Sequence, residues 1–171
     1  AGTAEGVRRS QDGGCSWSDG WGVLGGIGVG GLAATDTAGG HLLVSGHGLG
    51  LWRSLDGGAT WEELDLPGDG FRPGPLVTDD AGERIVVGAS DPDGVPHVLA
   101  SDDGGVSWSE PFELTGWAQA IPLLLRPDGD GLYLAAVSGI GDDFVVALDV
   151  DLTSSPHALT MPPAPAVGAA M

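Results

Sequence analysis

Ser54-Leu55-Asp56-Gly57-Gly58-Ala59-Thr60-Trp61 is one of three copies of a single phrase, the others being Ser10-Gln11-Asp12-Gly13-Gly14-Cys15-Ser16-Trp17 and Ser101-Asp102-Asp103-Gly104-Gly105-Val106-Ser107-Trp108. The shared pattern is S-x-D-G-G-x-[ST]-W. Its aspartates stand 44 and 47 positions apart, a period that suits four-stranded propeller blades rather than helical solenoids. The phrase reads as a tight hairpin turn. The carboxylate can accept hydrogen bonds from N–H groups of its own turn, glycine supplies positive φ, and the Ser or Thr hydroxyl completes the bonding locally. The Trp is then left to pack at the blade edge.

The residues around each copy repeat as well. Leu32–Asp36, Leu76–Asp80 and Leu124–Asp128 read as first strands, each stopped by an Asp or Gly turn. His41–Gly46, Arg84–Ala89 and Leu132–Val137 are near-continuous apolar runs, as expected of second strands buried on both faces. Leu51–Ser54 and Val98–Ser101 lead into the phrase as third strands. Gly6–Ser10 is a third strand whose own second strand is a stub, Phe144–Asp149 takes the third-strand place of a further unit without a following box, and Ala166–Ala170 resembles a first strand. The expectation is an all-β propeller of about three complete four-stranded blades plus partial blades, with units at 1–22 (partial), 23–66, 67–113, 114–161 and 162–171 (partial). Starting at Ala1 and ending in mid-blade, the segment reads as part of a larger propeller.

Composition narrows the function. Gly and Pro make up about a quarter of the chain while hydrophobic residues hold 42%, which fits a packed β protein and not a disordered one. The longest apolar runs fall far short of the roughly 20 residues that cross a bilayer as a helix, and no cleavable leader precedes them, so membrane insertion is not expected. Against 24 Asp and Glu stand 6 Arg and no Lys, a net charge of -18. A phosphate backbone would be repelled, so nucleic acid is excluded as a partner.

The phrase resembles the Asp-box, or BNR repeat, found in bacterial sialidases, sortilin-type receptors, xyloglucanase-type glycoside hydrolases and the photosystem II assembly factor family. That resemblance implies a β-propeller in which the box is a structural hairpin on the outer rim, away from the central pocket. Ser10, Asp12, Gly14, Trp17, Ser54, Asp56, Gly58, Trp61, Ser101, Asp103, Gly105 and Trp108 are accordingly expected to be scaffold. A sialidase would need three arginines around the substrate carboxylate, the first in a Phe/Tyr-Arg-Ile-Pro motif, together with a Tyr nucleophile, its partnering Glu and an Asp acid/base. Phe71-Arg72-Pro73 lacks the Ile, and Arg72 reads as a turn residue between a box and the next first strand. Tyr133, the single tyrosine, reads as a core aromatic. Arg9 and Arg53 hold equivalent places before their boxes, which suggests a scaffold role. No catalytic residue is assigned.

Other motifs have plainer readings. Gly26-Ile27-Gly28-Val29-Gly30-Gly31 matches G-x-G-x-x-G but is followed by a strand where a nucleotide fold needs a helix, so it reads as a flexible loop between blades. Asp79-Asp80, Asp91-Pro92-Asp93-Gly94, Asp128-Gly129-Asp130-Gly131 and Asp142-Asp143 read as solvated turns, since Gly139 stands where an EF-hand loop would need its Glu. His41, His47, His97 and His157 lack zinc spacing and read as surface or strand-end residues. No metal and no cofactor is expected. Cys15 is either a small half-buried residue or the partner of a cysteine outside the segment. Trp21, Trp52 and Trp117 lie outside the boxes and, with Arg72, are candidates for binding, the alternative for the tryptophans being packing between blades. The function expected is non-catalytic recognition of a protein or glycan partner by a secreted, periplasmic or cell-surface protein. The alternative is part of an exo-sialidase or other glycoside hydrolase whose catalytic residues lie mostly outside this segment. An assembly factor of the photosystem II type is disfavoured by the absence of a basic patch.

Overall fold

The computed structural model describes residues 1–10, 12–18, 24, 28–35, 40–46, 48, 50–115 and 118–125, with the backbone alone of 120, 123, 124, 131–137 and 145–151. Among these residues there is no α-helix. A short hairpin, β1 (Gly2–Thr3) and β2 (Gly6–Val7), comes first, and an isolated bridge joins Arg9 to Ser18. A four-stranded antiparallel meander follows, made of β3 (Gly31–Ala34), β4 (Leu42–Gly46), β5 (Gly50–Ser54) and β6 (Glu62–Leu64). A second consists of β7 (Arg72–Thr78), β8 (Ile85–Ser90), β9 (Pro96–Ser101) and β10 (Phe112–Glu113). β11 (Gln119–Leu125), β12 (Gly131–Val137) and β13 (Val145–Asp151) form a third, three-stranded sheet. β3, β7 and β11 lie against one another, so the sheets succeed each other with their first strands together. This is the arrangement of β-propeller blades.

Two-residue periodicity sends alternate side chains to opposite faces of each sheet. Leu43, Leu51 and Leu64 of the first meander meet Leu76, Ile85, Val87 and Leu99 of the second in one buried cluster. From the other face of the first meander, Val44 packs with Val7 and Leu24, joined by half-buried Trp52 and Trp61. Apolar cores therefore lie between successive sheets. The sheets also touch backbone to backbone near the first strands. Ser45, fully buried on β4, donates its hydroxyl proton to the Gly74 carbonyl of the next meander. A Cβ on Gly31 would stand 2.7 Å from that hydroxyl and 2.9 Å from the same carbonyl. A Cβ on Gly30 would stand 3.3 Å from Gly74 Cα. The glycines at 28–31 thus permit close approach between blades, a different reason from the loop flexibility expected of them.

Three further expectations need correction. β7 begins at Arg72, not Leu76, and β11 begins at Gln119, not Leu124. The register shifts between Pro73 and Leu76, and again between Pro122 and Leu124, so each strand runs through its prolines by way of a bulge. Proline is tolerated there because β7 and β11 are edge strands of their sheets, where a missing N–H removes no ladder bond. Arg72 is therefore a strand residue paired with Ser90, not a turn residue. Among the described residues there are two four-stranded sheets and one three-stranded sheet; the place of a fourth strand in the last unit lies outside them. The third strand expected over Phe144–Asp149 runs on to Asp151, while Ala166–Ala170 lies outside the described residues.

Replacing Gly31 by Ala forces a methyl group against Ser45 and Gly74, an overpacking that costs about 1–3 kcal/mol. The midpoint of thermal unfolding, followed by circular dichroism, is expected to fall accordingly. An unchanged midpoint would contradict the close approach of β3 to β7.

Candidate functional site

The three boxes are superimposable in their bonding. In the second, the Ser54 hydroxyl donates to Asp56 Oδ1 at 2.8 Å and accepts from the Gly58 N–H at 2.8 Å and the Asp56 N–H at 3.3 Å. Asp56 Oδ1 also accepts the Thr60 N–H at 2.8 Å, and Oδ2 accepts the Thr60 hydroxyl at 2.6 Å. Asp12 is bound in the same way by Ser10 and Ser16, and Asp103 by Ser101 and Ser107. Both central glycines of every box have positive φ, for example 69° and 88° at Gly57 and Gly58, where L residues are strained. These donors hold all three carboxyls at about 2, well below the ordinary range. The largest cause is the hydroxyl at Ser16, Thr60 or Ser107, followed by the N–H of the same residue. Both oxygens of each box aspartate are engaged inside its own turn, which leaves little for a ligand.

The second and third boxes are also fastened outward. The Gly57 N–H donates to the Gly40 carbonyl at 2.9 Å and the Gly104 N–H to the Glu83 carbonyl at 2.7 Å, tying box to the preceding turn of the same sheet. The third box reaches the neighbouring sheet as well. Arg53, held by Glu62 at 2.8 Å, donates from Nη1 to the Gly104 carbonyl, and Trp108 Nε1 donates to the Asp65 carbonyl at 2.8 Å. A Cβ on Gly105 would lie 2.6 Å from Leu64 Cδ1. Trp17 and Trp61 instead donate to Gly14 and Gly58 of their own boxes. Trp17 remains 48% exposed, whereas Trp61 and Trp108 are half-buried.

The remaining candidates are scattered. Trp21 and Trp117 lie outside the described residues, as do His47, His157 and the acidic turns at 128–131 and 142–143. Trp52 is in β5 and packs into the cluster beneath it. Cys15 is a free, exposed thiol, not half-buried. Asp79 Oδ1 accepts the N–H groups of Glu83 and Arg84, and Asp91 Oδ1 that of Val95, so these acids brace turns. His97, expected at the surface or at a strand end, is the second residue of β9 and 8% exposed, its ring edge-on to Phe71 with centroids 5.2 Å apart. For Tyr133 only the backbone, paired with Leu124 and Asp149, is described. Among the described residues no group of three His, Cys, Asp or Glu is placed to hold a metal ion, and no helix is long and apolar enough to cross a membrane.

The concave feature that the sequence does not announce is a cleft of about 140 Å³ between the second and third sheets. Arg72, Gly74 and Pro75 of β7, Gly88, Ala89 and Ser90 of β8, Pro96 of β9, and Ala118, Gln119 and Ile121 at the start of β11 line it. It lies at the start of β9, while the box follows the end of that strand, roughly 17 Å away along the chain direction. Among the described residues Arg72 takes part in no ion pair or side-chain hydrogen bond, although Arg8, Arg53 and Arg84 are paired with Glu5, Glu62 and Asp102. The isolated Arg72 was visible in the sequence. Its companions were not, because they come from β8, β9 and β11, and β11 reaches them only through the packing of one sheet on the next.

No protein-family model matches the chain, and no curated relative was found. Among solved structures the chain is similar to a protein of unknown function from Dyadobacter fermentans, with 17% identity and a TM-score of 0.53 over 88% of this chain and 49% of that one. It is also similar to a GH74 xyloglucanase from Xanthomonas campestris, with 26% identity and a TM-score of 0.44 over 69% and 20% of the two chains. A third likeness is to the NanB sialidase from Streptococcus pneumoniae, with 21% identity and a TM-score of 0.45 over 85% and 28%. The chain spans about half the length of the first of these and less of the others. The first likeness is one of fold. Fold and box together define an all-β protein of propeller blades.

Two outcomes follow for the boxes. Ser54 is 1% exposed, and Ser54→Ala strands the buried Gly58 N–H, so a loss of about 1–3 kcal/mol is expected in urea unfolding. The depressed aspartate pKa values give a stabilising contribution that is complete above about pH 4 and fades as pH falls towards 2. Asp56→Asn should flatten that acid slope, and an identical slope in the variant would contradict the assignment.

Proposed function

We propose that this protein is a non-catalytic recognition module of the Asp-box propeller type, binding a protein or glycan partner at the cleft around Arg72. The observation that carries the proposal is a cleft lined by Ser90, Gln119 and an Arg72 that makes no ion pair or side-chain hydrogen bond among the described residues. Guanidinium, hydroxyl and amide bind and orient a ligand. Glycoside hydrolysis in its usual forms needs a pair of carboxyl groups across the scissile bond, and the residues lining this cleft include none. The box aspartates are saturated within their turns, which supports a scaffold role for them. An exported location belongs to the same proposal and rests on the sequence resemblance alone.

The full chain on a glycan array, assayed in parallel with a fluorogenic sialoside and xyloglucan oligosaccharides, tests this reading. Binding without turnover, weakened at least about tenfold by Arg72→Ala as expected for loss of a charge-assisted contact, is the expected result for a glycan partner. A flat array without turnover points to a protein partner. Turnover that disappears in Arg72→Ala would replace the proposal with a hydrolase.

A further inference from the structure

Resting on the reading that the Arg72 cleft is a recognition site, we infer that its occupant is an aromatic side chain presented by a basic segment of a partner protein. Charge sets the partner. With 24 acidic side chains against 6 arginines, an approaching anion is opposed over the whole surface, and a cationic segment is drawn in. The bias is repeated at the cleft mouth. The turn before β7 carries exposed Asp69, and the turn between β8 and β9 carries Asp91 and exposed Asp93. The two turns adjoin, since a Cβ on Gly70 would come within 2.8 Å of Pro92 Cγ. An anionic ligand would therefore meet three carboxylates beside one guanidinium, whereas Lys and Arg side chains flanking an anchor would find acceptors there.

The chemistry of the cleft sets the anchor. The rings of Pro75 and Pro96, the peptide planes at Gly74 and Gly88 and the Ile121 side chain give flat, weakly polar walls. A lysine or arginine anchor would be repelled by Arg72. An aromatic ring matches proline faces and stacks on a guanidinium plane, gaining a cation–π attraction that an aliphatic side chain forgoes. The volume of about 140 Å³ admits a single such side chain. The site is held before binding. The Gly74 carbonyl is pinned by Ser45, and Phe71, next to Arg72, abuts the buried His97, so few groups need ordering when the ring enters.

Fluorescence anisotropy with the full chain tests the inference, using three labelled Lys-Ser-Gly peptides that differ only in a central Trp, Ala or Glu. The Trp peptide is expected to bind about tenfold tighter than the Ala peptide. Arg72→Gln should reduce that preference to about twofold and Arg72→Lys should keep most of it, with the melting temperature of each variant unchanged because the residue is exposed and unpaired. Equal binding of Trp and Ala peptides would reduce the effect to the general field, and a preference that survives Arg72→Gln would place the ring elsewhere; either result overturns the inference. Tighter binding of the Glu peptide, or of an acidic glycan on the array, would also overturn it while leaving the recognition reading intact. Turnover of a glycoside would remove that reading itself.

Discussion

A serine hydroxyl that gives its proton to an aspartate and takes one from a glycine N–H, repeated at Ser10, Ser54 and Ser101, is the constraint on which the blades depend. It closes the turn from third to fourth strand and fixes both glycines at positive φ. With that backbone in place, Gly57 and Gly104 can donate to the turns at Gly40 and Glu83, and the Gly104 carbonyl can receive Arg53 from the neighbouring sheet. The hydrogen bonds are individually modest. Their effect comes from being nested: the local turn has to form before the glycine groups point at their partners.

The same nesting separates two ends of the molecule. At one end the polar groups of the boxes are consumed by their own turns, and the salt bridges of Arg53 and Arg84 are surface pairs of small energetic weight. At the other, β7 begins and β8 ends at a cleft whose Arg72 makes no ion pair or side-chain hydrogen bond among the described residues. A chain this acidic has carboxylates to spare. Hydrogen-bonding capacity is therefore taken up at the box end of the sheets and remains at the cleft end.

The fold was legible in the sequence because a box is a local object: its eight residues satisfy one another, so spacing and residue type suffice to read it. The second strands were legible for a related reason, as Leu42–Val44 and Ile85–Val87 are continuous apolar runs buried on both faces. Among the first strands, Leu32–Ala34 was legible, but the starts of β7 and β11 were not, because each extends back through a bulge at Pro73–Leu76 or Pro122–Leu124. The cleft was the least legible part. Arg72 could be singled out as a residue, but its neighbours come from strands up to about fifty positions away, brought together by the packing of one sheet on the next. The burial of His97 was hidden for the same reason, since its ring meets Phe71 from the turn before β7.

The seat of the third box is built from its neighbour: Leu64 fills the space beside Gly105, Asp65 accepts from Trp108, and Arg53 holds Gly104. A blade here contributes half of the next blade's turn. Stability in such an array is a chain of nearest-neighbour couplings, so whole units can be gained or lost by duplication, whereas a cut inside a unit leaves two faces incomplete. Under mechanical load the same coupling makes the rim a zipper, in which extraction of one sheet strips the latch from its successor and the sheets yield in sequence.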